Sequence, residues 1–146
     1  MKAPGAKYVL DTNTVSFAMG GDPAVSRRLL ALPRTDVLLP QPVVAEIEFG
    51  LARLPPSKRR DRLEERFRHF RSEIQRAPWT DEVSRAFGAI KADLEARGRT
   101  LEDFDVAIAA HALVLDAILV SDNLSHMNRI EGLEVESWRP GAEAGR

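Results

Sequence analysis

Four short stretches of this chain set acids where apolar residues would be expected. Tyr8-Val9-Leu10 ends abruptly in Asp11-Thr12-Asn13-Thr14, and Glu46 lies within Val43-Val44-Ala45-Glu46-Ile47. Asp105 precedes Val106-Ala107-Ile108-Ala109-Ala110, and Ala117-Ile118-Leu119-Val120 runs into Ser121-Asp122-Asn123. Burying an unpaired carboxylate is expensive, so each acid calls for a reason. One reason is a shared site. Clustered carboxylates repel one another and invite a divalent cation. Oxygen ligands in a chain without cysteine favour magnesium or manganese over zinc. The plain alternative is local: Asp11 as a turn or capping residue, and Asp103 and Asp105 serving a helix start, where the dipole favours negative charge.

A shared site requires elements that bring these stretches together. Lys7 to Leu10 reads as a buried strand, followed by a short helix from Thr14 that Asn13 or Thr14 can cap. Pro23 opens a second helix reaching about Leu32, and Asp36 to Leu39 is a second strand. Pro42 sits in the first turn of a third helix with Val43, Ile47 and Leu51 on one stripe. Glu46 lies beside that stripe and looks to the sheet edge, while Glu48 falls on the opposite, solvated side. Gly50 costs helix stability, which suggests close backbone packing there. Ser57 caps a fourth helix with Leu63, Phe67, Phe70 and Ile74 spaced for one face. Pro78 ends it or follows a short extended piece. Thr80 or Asp81 caps a fifth helix that closes at Gly98, and Asp103 caps a sixth from Phe104 to about Leu115. Ala117 to Val120 is a buried strand and Leu133 to Glu136 an edge strand.

Strands alternating with helices predict a parallel α/β sandwich. Chemistry in such folds gathers past the carboxyl ends of the strands. Asp11 ends one strand and Ser121-Asp122-Asn123 end another, so strand order decides whether they meet.

With 146 residues and 44% hydrophobic composition, the chain fits one ordinary globular domain, here residues 1–140 followed by a loose tail at 141–146. No apolar stretch nears the roughly 20 residues that span a bilayer, and no signal peptide is visible, so no membrane role is expected and the cytoplasm is the expected location. The net charge of −1 is uninformative, but Lys58 to Arg76 holds eight basic residues against four acids. Arg59 and Arg62 in that segment are candidates to meet phosphates; the alternative is a solvated helix laced with pairs such as Arg62 with Glu65. His69, His111 and His126 show no zinc spacing, and His111 on an apolar helix reads as a core or interface residue. Trp79 and Trp138 read as packing groups.

The chain resembles PIN-domain ribonucleases of the VapC toxin type, of type II toxin–antitoxin systems. The resemblance is carried by Leu10-Asp11-Thr12-Asn13, Glu46-Ile47-Glu48-Phe49-Gly50, Asp105-Val106-Ala107-Ile108-Ala109-Ala110-His111-Ala112, and Leu119-Val120-Ser121-Asp122-Asn123. Arg129-Ile130-Glu131-Gly132-Leu133 and Glu136-Ser137-Trp138 follow. The resemblance implies a three-layer α/β/α sandwich with a central, mainly parallel sheet and an acidic pocket at one edge. It implies catalytic positions at Asp11, Glu46 and Asp105. At the fourth position its register gives Asn123, a neutral member, or else Asp122 supplies the charge. Asp11 and Asp105 would be direct ligands of Mg2+ (or Mn2+), with Glu46 a water-mediated ligand or the group that takes the water's proton. Thr12, Asn13 and Ser121 would hydrogen-bond the metal shell or the phosphate. The implied activity is endonucleolytic hydrolysis of RNA, of the tRNA or rRNA class, by in-line attack. A cognate VapB-type antitoxin would block the pocket, and the toxin would form a homodimer, with higher toxin–antitoxin assemblies open. The competing expectation is a catalytically weak PIN protein that binds RNA or antitoxin.

Overall fold

The structure is a computed structural model and describes residues 5–139. Strand β1 (Tyr8–Leu10) occupies its centre, because an uninterrupted apolar run is what a strand covered on both faces requires. Helices α1 (Thr12–Met19) and α2 (Pro23–Ala31) follow, then a single 3-10 turn and β2 (Val37–Pro40). The chain continues through α3 (Gln41–Ala52), α4 (Lys58–Glu73) and β3 (Gln75–Ala77). Then come α5 (Asp81–Ala96), α6 (Asp103–Val114), β4 (Ile118–Val120), α7 (Leu124–Met127) and β5 (Val135–Glu136).

The sheet order is β3-β2-β1-β4-β5, and every pairing is parallel. Tyr8 faces Val37 on one side and Ile118 on the other, and Leu10 is level with Val120. Helices flank the sheet in a three-layer α/β/α sandwich, as expected from the sequence. The chain builds outward from β1 to β3, then returns to start again at β4. Such a reversal leaves a crevice at the carboxyl ends of the two strands where it occurs.

Val9, Leu10, Leu39, Leu119 and Val120 are wholly buried in this sheet. Helix α6 lies against β1 and β4 and also packs on α3 and α5. Its Ala109, Ala110 and Ala112 are likewise inaccessible, and their small side chains permit that close approach. A side-chain clasp secures the far edge. The Arg28 guanidinium of α2 lies 5.9 Å from the Tyr8 ring and 5.3 Å from the Trp138 ring, and it pairs with Glu136 at 2.8 Å. The Trp138 indole donates to the same carboxylate at 2.9 Å.

Several local expectations change. Helix α1 begins at Thr12, and its cap is Asp11 itself, not Asn13 or Thr14. Glu102, not Asp103, occupies the cap position of α6; the Asp103 carboxylate turns instead to the Lys91 ammonium at 2.9 Å. Gly50 has open space where a Cβ would stand, so close packing does not explain it. The extended piece before Pro78 is a full member of the sheet, paired with β2. The expected tail at 141–146 lies outside the described residues.

Candidate active site

The crevice is built from Asp11 upward. Its N–H donates to the Val120 carbonyl at 3.1 Å, which fixes it on the seam between β1 and β4. Its backbone is extended, with α1 starting at the next residue, and its Oδ1 accepts from the Thr14 N–H at 2.8 Å. Capping therefore orients this carboxylate while leaving its second oxygen for other partners. The hydroxyl of Ser121, fully buried at the end of β4, donates to Asp11 and accepts from the Asn123 N–H at 3.0 Å. Burial pushes the Asp11 carboxyl above its ordinary range and the Asp122 charge adds to this, while the Ser121 and Thr14 hydrogen bonds restrain the rise.

Asp105 enters from the first turn of α6, half-buried. Burial raises its pKa first; the charges of Glu46, Asp11 and Glu102 raise it further, and His126 opposes them. Three acids that lie far apart in sequence thus share one electrostatic field. Glu46, half-buried on α3, accepts a short hydrogen bond from the Thr12 hydroxyl. Thr12 is thereby committed to positioning Glu46, whereas Asn13 is exposed.

The two candidates for the fourth position go separate ways. Asp122 accepts from the Ser137 hydroxyl at 2.6 Å and pairs with Arg139 at 3.1 Å. Asn123 lines an open cleft of about 680 Å³ together with Asp105, His126 and Arg129, and its amide lies 2.9 Å from His126 Nδ1. Arg59 and Arg62 are exposed on α4. Arg62 borders a groove beside Ala18 and Met19. Met19 ends α1, roughly 12 Å along the helix from Asp11 at 1.5 Å per residue.

His126, Ser137 and Arg139 were not singled out from the sequence for roles here. The i, i+3 spacing of Asn123 and His126 was a usable signal. Arg139 offered none, since its partner Asp122 is 17 positions away. His111 is a core residue: fully buried, its Nδ1 lies 2.8 Å from the Ala107 carbonyl and the Trp79 ring meets it edge-on. Burial lowers its pKa, against an upward pull from the Ala107 and Pro78 carbonyls.

The donor set suits a hard cation, because three carboxylates share one field, with the His126 imidazole at the cleft beside Asp105. Among the described residues, no three acidic or histidine side chains already surround a common point.

A family model for the PIN domain matches residues 8–132. Ribonuclease VapC2 of Haemophilus influenzae is 30% identical over 132 residues, covering 90% of this chain and 98% of its own length. The tRNA(fMet)-specific endonuclease VapC of Shigella flexneri is 28% identical over 132 residues, with the same coverages. Among solved structures, DNA-bound VapBC from Salmonella typhimurium superposes with a TM-score of 0.83 at 25% identity, covering 92% of this chain and 99% of that one. With acids gathered at the strand reversal and these similarities along nearly its whole length, the chain belongs to the PIN domain family, in its VapC-type ribonuclease branch.

Proposed function

We propose that this protein is a metal-dependent endoribonuclease toxin that cleaves RNA of the tRNA class and is held inactive by a VapB-type antitoxin. The observation that carries the reading is the β1–β4 seam, which sets Asp11 in the same field as Asp105 and Glu46. The tRNA class is supported by the tRNA(fMet)-specific endonuclease of Shigella flexneri among the relatives, and the antitoxin by the VapBC complexes among the structural neighbours.

Asp11 and Asp105 would hold a Mg2+ or Mn2+ ion, which when bound supplies charge neutralisation on the phosphate and eases deprotonation of a water. Asp11 is oriented for this by Thr14 and Ser121. Glu46, aimed by Thr12, accepts the proton of the attacking water. Asn123 sits in the cleft beside Asp105 as the neutral fourth member. The toxin would act as a homodimer in the cytoplasm; no helix among the described residues is long and apolar enough to cross a membrane.

The test is cleavage of total cellular RNA by purified protein freed of antitoxin, with magnesium, with manganese and with a chelator. Discrete metal-dependent products from wild type, reduced at least about 100-fold in Asp105→Ala or Asp11→Ala, are expected, in line with the loss of a principal transition-state stabiliser. Folded wild type that cleaves nothing would overturn the reading and leave a module that binds RNA or antitoxin.

A further inference from the structure

The acid next to Ser121 is held away from the other carboxylates by contacts of its own. Asp122 follows Ser121 directly, and its charge is felt by Asp11. Yet both of its oxygens are occupied, one by the Ser137 hydroxyl at 2.6 Å and the other by the Arg139 guanidinium at 3.1 Å. Arg139 is itself fixed from other sides. Its guanidinium lies 3.7 Å from the centre of the Phe17 ring, its Nε is 3.9 Å from the Asp22 carboxylate, and its N–H donates to Ser137 at 3.2 Å. Phe17 belongs to α1, the helix that Asp11 caps, and Asp22 caps α2. One side chain therefore ties the segment after β5 to the end of β4 and to the α1–α2 junction.

We propose that Arg139 is a positioning residue that withholds Asp122 from the acidic crevice and thereby sets how strongly the crevice attracts a divalent cation. The inference rests on the metal-dependent reading above. With the ion pair formed, Asp11, Glu46 and Asp105 act on the cation beside a neutral Asn123. Without Arg139, Asp122 contributes a fourth uncompensated charge and loses one of its two tethers. A clasp with a purely structural role would change stability and leave cation affinity alone.

Calorimetric titration of Mn2+ into the full chain freed of antitoxin tests this. Arg139→Gln is expected to bind Mn2+ about 3- to 10-fold more tightly, the scale of one partly screened charge near the ion. Arg139→Lys keeps the wild-type affinity. Asp122→Asn binds more weakly, because the guanidinium keeps only the longer contact to Asp22 and its positive charge at the rim is less compensated. The double variant Arg139→Gln/Asp122→Asn returns close to wild type. Unchanged affinity in Arg139→Gln overturns the proposal, as does a double variant that binds as tightly as Arg139→Gln. Should Arg139→Gln fail to fold, Asp122→Asn decides alone: weaker binding supports the proposal, and equal or tighter binding overturns it. Failure of the metal reading looks different, since wild type then shows no Mn2+ uptake that Asp105→Asn removes, which overturns both. Uptake that Asp105→Asn removes, with no difference among the Arg139 and Asp122 variants, overturns this inference alone.

Discussion

At the residue scale the crevice stores electrostatic repulsion. Asp11 and Asp105 both have carboxyl pKa values above the ordinary 3.8, chiefly through burial and then through neighbouring negative charge. A carboxyl whose pKa is raised by folding favours the folded state while protonated, and that advantage is lost as pH rises through the folded value. Above the raised values and without metal, ionising these carboxyls therefore opposes folding. Asp105→Asn should raise the melting temperature in chelator at neutral pH by a few degrees, since about 1 kcal/mol corresponds to roughly 2–4 °C at this size. The difference should vanish below the ordinary carboxyl range, and Mg2+ should stabilise wild type but not the variant. Melting curves with and without Mg2+ check this, and a variant that melts lower in chelator would contradict it. Cleavage should fall as pH drops into the raised range, because protonated acids cannot hold the cation. Asp11, Glu46 and Asp105 were legible because an acid in an apolar run stands out. Arg139 was not, because it is one polar residue in a polar segment and acquires meaning only from Asp122, a partner that folding supplies, whereas His126 left the weaker signal of its i, i+3 spacing from Asn123.

At the element scale, caps and apolar spacing carried most of the reading. Ser57 and Thr80 accept from the third helical N–H as their positions imply, at 3.1 Å from Arg60 and 3.3 Å from Val83. Strand β3 was unread as part of the sheet because Gln75 and Arg76 are exposed, and only Ala77 is buried. Such a strand is defined by its partner's hydrogen bonds and leaves no alternation to detect. Helix α7 is a single turn too short to show a period. Gly50 and Gly88 lie inside helices with nothing within 4 Å of an added Cβ, so neither is held by packing. Gly50→Ala and Gly88→Ala should each stabilise the fold by about 0.5–1 kcal/mol through helix propensity and reduced unfolded-state freedom. Being on separate helices, the two should combine nearly additively in urea denaturation. A destabilised Gly50→Ala would mean that α3 tolerates no side chain there.

At the scale of the whole molecule, function depends on one topological event: the chain's return across β1 to form β4. The sequence shows that Asp11 and Ser121 end strands, but not that those strands are neighbours, because strand order is set by how all the helices pack. The return is held by α6, whose buried alanines let it lie on β1 and β4 while its first turn presents Asp105. Stability and catalysis are therefore coupled through the spacing between this helix and the sheet. Ala109 is wholly buried, and a larger side chain has no room without moving α6 outward. Ala109→Leu should cost about 1–3 kcal/mol, the usual penalty for overpacking a core. It should also carry Asp105 away from Asp11, so RNA cleavage should fall at least about tenfold even where the variant is fully folded, since small misplacements of reacting groups are expensive. Ala92→Leu, at an exposed position of α5, is the control and should change neither property appreciably. Urea midpoints and cleavage rates, both measured well below the melting temperature, separate the two effects. Full activity in a destabilised but folded Ala109→Leu would show that the Asp11–Asp105 spacing is not governed by the seat of α6 on the sheet.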